Sequence, residues 1–173
     1  MKIKYKLGDA TNPTETGKVM IGHSVNTWGM WGAGFVLPLA KRYPEAREQY
    51  LSWSIKGYYN FGKNKVLFRL GEFQPVKISD NLYVGNIIAQ SGCGNLKWLI
   101  PFRYESFEEA LIRLEDYLVR NKFNYFVVPR IGCGLGGASI EKVVEIIEKC
   151  ISIQCIVYDR EQDEWPGTIY ENE

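Results

Sequence analysis

This chain offers a metal ion little to hold. It has one histidine, His23, and its four cysteines (Cys93, Cys133, Cys150 and Cys155) show no C-x-x-C spacing. A zinc site and a disulfide framework are therefore not expected, and reduced thiols in a cytoplasmic setting fit the cysteine usage best. No uninterrupted apolar run approaches the ~18 residues that an ordinary membrane-crossing helix needs. The start, MKIKYKLGDA, carries basic residues without an apolar core segment, so no signal peptide is expected. Charge of one sign is also lacking: 21 Lys and Arg against 20 Asp and Glu leave a formal net charge of +1. No global field points to a membrane surface or to nucleic acid. Neither internal repeats nor low-complexity segments occur, and neither a metal nor a cofactor is expected.

What is present suits a folded α/β chain. At 173 residues, 46% hydrophobic and 14% aromatic, it is long enough for one domain over 1–173 with a sizeable core. The most informative stretch is FNYFVVPRIGCGLGG, residues 123–137. Phe126-Val127-Val128 reads as a strand buried on both faces, and Pro129 ends its pairing because proline has no N–H to give. Gly132, Gly134, Gly136 and Gly137 follow. Ala138–Cys150 then places Ile140, Val143, Val144, Ile147 and Cys150 at the spacing of an amphipathic helix. A strand, a glycine loop and a helix start can together receive an anion, because glycine backbone N–H groups approach closely. The loop is neither a Walker loop, since no Gly-Lys-Ser/Thr follows, nor G-x-G-x-x-G, since its glycines stand two apart. A tight connection alone would explain the glycines equally well.

The remaining pattern alternates strands with helices. Residues 2–7 alternate as an edge-like strand, and Lys18–Val25 as a second, with Val19, Ile21, His23 and Val25 on one face. Another glycine loop, Trp28–Phe35, precedes helices over Phe35–Tyr43 and Glu45–Ile55, with Pro44 at a first helical position. Short strands are expected at Lys65–Arg69 and Gln74–Ile78, and a buried one at Leu82–Ala89. A flexible loop follows over Gln90–Asn95. Ser106, with Glu109 three residues on, predicts a capping box for a helix running to about Asn121. Ile153–Tyr158 is the last strand, and Asp159–Glu173 an acidic tail. This order implies a layered α/β fold with a mixed or mostly parallel sheet.

Several segments together resemble the macro domain family of ADP-ribose-binding modules. They are Gly8-Asp9-Ala10, the His23–Phe35 stretch, Gly85–Gln90, Pro101-Phe102-Arg103-Tyr104, PRIGCGLGG and Val157-Tyr158-Asp159. They span roughly residues 2–160 and are most similar to the branch of ADP-ribose 1″-phosphate phosphatases and related phage and bacterial proteins. The resemblance implies a three-layer α/β/α fold with a central mixed, mostly parallel sheet, and ADP-ribose or a derivative as ligand. An ADP-ribosylated macromolecule is a further partner it allows; a membrane is not.

The resemblance also implies a set of contacts. Asp9 would accept a hydrogen bond from the adenine amino group beside the Ala10 backbone, or else cap a turn. Asn26 would pair with ribose hydroxyls, or else close an Asx turn. Trp31, Gly32, Ala33, Gly34 and Phe35 would form the first phosphate and ribose loop. Ile131, Gly132, Cys133, Gly134, Leu135 and Gly136 would form the second, with Cys133 as a small filler instead of a nucleophile. Tyr158 would stack on adenine, or else sit at the rim. Trp28 and Trp31 are expected as cleft walls.

Three functions stay open. A hydrolase acting on ADP-ribose 1″-phosphate or a related derivative is the first, with His23 protonating a leaving group or orienting water. His23 could equally be a histidine satisfied within its strand. The second is a non-catalytic ADP-ribose reader. It gains weight because Gln90 or Ser91 stands where the glycohydrolase branch has a lysine, and Gly136 where it has an aspartate. Lys97 is the nearest lysine. A nucleic-acid binder is the third, and the near-zero net charge without an evident Lys/Arg cluster counts against it.

Overall fold

A computed structural model describes residues 2–93 and 100–171. In chain order the elements are β1 (Lys4–Leu7), β2 (Val19–Asn26), α1 (Val36–Arg42), α2 (Pro44–Lys56), β3 (Tyr58–Phe61), β4 (Asn64–Leu67), β5 (Phe73–Ser79), β6 (Leu82–Gln90), α3 (Tyr104–Arg120), β7 (Tyr125–Val128), α4 (Ile140–Cys150) and β8 (Gln154–Asp159). Six strands form the central sheet in the order β1-β8-β7-β2-β6-β5. All neighbours pair parallel except β5, which runs antiparallel on β6.

Helices cover both faces, and the strand side chains alternate accordingly. Met20, Ile87, Val128 and Val157 face α3 and α4, packing with Phe107, Leu111, Leu114, Val143 and Ile147. Ile21, Val84 and Ile88 face the other layer, with Leu39, Ala46, Tyr50 and Trp53 of α1 and α2. Burial on both faces explains why β2 and β6 read as nearly continuous apolar runs. The fold is therefore three-layered α/β/α with a mixed, mostly parallel sheet. Pro44 opens α2, as its missing N–H allows.

Several elements differ from expectation. Ser106 does not cap α3. Arg103 N–H donates to Ala89 O and Phe102 bridges to Gln90, which ties the segment to the end of β6 and starts the helix at Tyr104. Helix α4 begins at Ile140, with Ala138 outside it. The stretch between α2 and β5 forms a complete hairpin, β3–β4, of which only the second arm was expected. The tail from Asp159 folds back, donating Glu171 N–H to Tyr5 O. Gly94 and Asn95 of the expected flexible loop, and Asn172 and Glu173 of the tail, lie outside the described residues. Among the described residues no helix is long and apolar enough to cross a membrane.

Candidate functional site

The carboxyl ends of β1, β2, β7 and β8 all open on one edge of the sheet, because these strands are parallel. Residues Asp9 and Ala10 follow β1, the first glycine loop follows β2, and the second follows β7. Topology thus gathers three sequence-distant segments at the place where parallel α/β sheets present ligand sites.

The first loop is built on Asn26. Its Oδ1 accepts from Trp28 N–H (2.9 Å) and Met30 N–H (3.2 Å), and its Nδ2 donates to Met30 O (2.8 Å). Tyr50 Oη donates to Asn26 O at 2.7 Å. The Asx turn is thus formed, and Asn26 is buried beneath the loop it shapes. Trp31 is buried and donates Nε1–H to Val36 O, whereas Trp28 stays exposed with its indole against Gly92. Gly32, Ala33 and Gly34 are exposed, and Phe35 is half-buried beside His23.

The second loop closes on itself. Ala138 N–H donates to Gly132 O (2.8 Å), Gly137 N–H to Gly134 O (3.1 Å) and Phe102 N–H to Gly136 O (3.2 Å). A Cβ on Gly132 would lie 2.4 Å from the Phe102 ring, and one on Gly136 would lie 2.6 Å from Gly132 O. These two glycines are demanded by packing, and a side chain at 136 would force the loop backbone to shift.

Gly32 and Gly134 are different. Neither has a left-handed φ, and a Cβ on either would meet nothing within 4 Å. Among the described glycines only these two combine an ordinary φ with open space around the added Cβ, and they lie one in each loop. The N–H groups of Gly32, Ala33 and Gly34, and of Gly134, Leu135 and Gly136, take no acceptor among the described residues. Two open runs of backbone N–H groups can receive an anion. The start of α4 adds less, since Ser139 N–H already donates to Tyr104 Oη at 2.9 Å.

Asp9 divides its carboxylate. Oδ1 accepts from Thr11 N–H (2.8 Å) and Thr11 Oγ1 (2.7 Å), so the turn is capped; Oδ2 lies 3.7 Å from Arg42 on a half-exposed side chain. Ala10 is buried beside it. Tyr158 is 5% exposed, and its hydroxyl bonds Thr14 and the Glu15 carboxylate. It belongs to the core under the turn, at neither the rim nor an open stacking face.

His23 lies in the middle of β2, directly opposite Asn86 of β6. Asn86 Nδ2 donates to Ala46 O and Gln74 Oε1, so its Oδ1 faces His23 and accepts from Nε2–H at 2.6 Å. Burial lowers the His23 pKa to about 4, against the opposing hydrogen bond to Asn86. The ring is neutral at neutral pH, sealed by Trp31 and Phe35, and its Nδ1 has no partner among the described residues. The strand partner thus satisfies one ring nitrogen, and the other is a buried acceptor left without a partner among the described residues. Cys133 is likewise unreactive in character, since burial raises its thiol pKa to about 11 and Arg130 only partly offsets it. Lys97 lies outside the described residues. Ser24 Oγ donates to Gln90 Oε1 at 2.6 Å, which engages Gln90 within the sheet.

The sequence did not disclose one group beside the second loop. Arg130 makes a two-pronged ion pair with Asp159 (Nε–Oδ1 2.7 Å, Nη2–Oδ2 2.6 Å), and Tyr170 Oη donates to the same carboxylate. Trp165 lays its ring 4.2 Å from the guanidinium. Local spacing could not reveal it, because Asp159, Trp165 and Tyr170 are about 30 to 40 residues further along the chain.

No family model matches the chain. Over 91% of its length it is 25% identical to the ADP-ribose 1″-phosphate phosphatase of Lodderomyces elongisporus, 98% of which is covered. Among solved structures, a protein of unknown function from Bacteroides thetaiotaomicron is 36% identical with a TM-score of 0.80, covering 92% of this chain and 98% of that one. A macrodomain protein from Streptomyces coelicolor is 34% identical with a TM-score of 0.76, covering 92% and 99%.

Proposed function

The chain belongs to the macro domain family, and from that premise we propose that its two glycine loops bind the pyrophosphate and distal ribose of ADP-ribose. The single observation that carries the reading is the pair Gly32 and Gly134. Each has open space where a side chain would stand, on loops that follow the neighbouring strands β2 and β7 and carry open N–H groups. Asp9 Oδ2 is the acceptor for the adenine amino group. Cys133 fills space. His23 supports the first loop from beneath through Trp31 and Phe35. The name of the Lodderomyces relative makes ADP-ribose 1″-phosphate the derivative to test for turnover. A non-catalytic reader is the second reading, favoured by the sealed, neutral His23 and the protonated Cys133. An ADP-ribosylated macromolecule is then the partner, in a reducing, cytoplasmic setting that suits four free cysteines.

Calorimetric titration tests the ligand. ADP-ribose should bind with an affinity on the order of micromolar, while AMP and ribose 5-phosphate each bind far more weakly. Equal binding of AMP and ADP-ribose would remove the pyrophosphate from the loops. Release of inorganic phosphate from ADP-ribose 1″-phosphate separates the two readings. Turnover that persists in His23→Gln assigns hydrolysis to the cleft without this histidine. Binding without turnover makes the protein a reader.

A further inference from the structure

The β3–β4 hairpin is used by nothing described so far, and its composition departs from the rest of the chain. Residues 49–71 contain Lys56, Lys63, Lys65 and Arg69 and no acidic residue. The chain holds 21 basic and 20 acidic residues, so outside this segment 17 basic face 20 acidic ones. A charge of +4 here is balanced by −3 everywhere else, which the net value of +1 conceals.

Pairing sorts the hairpin into two faces. Tyr58 pairs with Leu67 and Asn60 with Lys65, whereas Tyr59 pairs with Val66 and Phe61 with Asn64. The second set faces inward: Tyr59 packs on Trp53, its hydroxyl donates to Phe73 O at 2.6 Å, and Phe61 reaches Tyr117. The hairpin is thereby anchored over the edge strand β5. The first set faces outward, with Leu67 46% exposed and Lys65 Nζ 4.5 Å above the Tyr58 ring. Lys56, Lys63 and Lys65 make no salt bridge among the described residues, and Arg69 makes one with Glu72. Because β5 runs antiparallel to β6, the hairpin leaves the sheet at the edge that carries the glycine loops. Gly71 N–H donates to Ile88 O there, and Ser54 of α2 abuts Gly29 of the first loop.

We propose that the outward face of the β3–β4 hairpin binds single-stranded nucleic acid. Lys65 shares this face with Tyr58, Lys63 stands in the turn between the two strands, and Lys56 ends the helix that leads into them. Their ammonium groups, without carboxylate partners, neutralise phosphates, and a base can take the place of the Lys65 ammonium on the tyrosine ring. An acidic protein would draw the Lys65 ammonium to its carboxylates and leave the Tyr58 ring uncovered, whereas a nucleotide supplies a phosphate for the lysine and a base for the ring. The inference stands apart from ADP-ribose recognition and does not depend on it.

Fluorescence anisotropy with a labelled oligothymidylate of about 20 nucleotides tests it at ~50 mM salt. Binding is expected, with a slope of log affinity against log salt of about −2, as three phosphate contacts on a single strand give. Replacing Lys56, Lys63 and Lys65 together by Glu should abolish it, and Tyr58→Ser should weaken it about tenfold. Neither change should alter ADP-ribose affinity or the circular dichroism spectrum. In the unaltered protein, amide resonances of residues 56–69 should shift when the oligonucleotide is added. Shifts confined to other segments, an unchanged affinity in the lysine variant, no binding at low salt, or equal competition by polyglutamate would each overturn the proposal.

Discussion

His23 Nε2–H donates to Asn86 Oδ1 at 2.6 Å across the β2–β6 pair, and Asn86 in turn is held by Ala46 O and Gln74 Oε1. This chain of bonds fixes the histidine tautomer and leaves its other nitrogen buried. The ring must stay neutral for the strand to stay packed.

Stability should therefore depend on pH through His23. Its folded pKa is about 4 and its unfolded value 6.5. The unfolded chain binds the extra proton between those values, so the contribution is complete above pH 6.5 and falls as the pH drops toward 4. The slope is at most about 1.4 kcal/mol per pH unit. Urea unfolding at several pH values should show this slope in the parent and its loss in His23→Gln. An identical pH dependence in both proteins would show that the histidine is not the titrating group.

Gly134 and Gly136 should respond oppositely to substitution. Gly134→Glu places a side chain and a negative charge in the open space at the second loop. ADP-ribose binding should vanish while the melting temperature stays within a few degrees of the parent. Gly136→Ala pushes a methyl group against Gly132 O. That variant should lose about 1–3 kcal/mol, as overpacking does. Calorimetry and thermal melts on the two proteins check both halves.

Removing the Asp9 carboxylate should separate the adenine from the rest of the ligand. Asp9→Ala loses the bonds to Thr11 and the acceptor beside Arg42. Affinity for ADP-ribose should drop about tenfold, the worth of one hydrogen bond to a charged group. Ribose 5-phosphate should bind as before. Equal losses for the two ligands would take Asp9 out of the adenine pocket.

Arg130 should matter to the fold more than to the ligand. Its pair with Asp159 is almost wholly removed from solvent, with side chains 10% and 3% exposed. Arg130→Met would leave the Asp159 carboxylate with Tyr170 as its remaining partner. The expected cost is about 3 kcal/mol. Denaturant titration measures it, and limited proteolysis should find the tail around Trp165 newly cleavable.

Much of this protein can be read along the chain, because periodicity and turn chemistry act over a few residues. The alternation of Met20 with Ile21, the amphipathic spacing of Ile140–Cys150 and Pro44 at a helix start each report a local preference. The two glycine loops were equally visible as loops. Ser106 misled because its capping pattern is local, whereas the true start of α3 is set by a bond to Ala89 on another strand. The hairpin's first arm is not legible in the sequence because Tyr58–Phe61 becomes a strand only when Tyr59 finds Trp53 and Phe73 O.

Sequence alone determined the layered α/β class, the strand-and-helix order and the segments that meet at the sheet's carboxyl edge. Only the tertiary structure decided what each residue there does. Gly132 and Gly136 are held by packing while Gly32 and Gly134 are left open, a distinction that depends on neighbours such as Phe102. His23 became a neutral structural group through a partner 63 residues away, and Arg130 was taken by a carboxylate 29 residues on. Burial and pairing over such separations come from packing of the whole chain, which no short stretch encodes by itself.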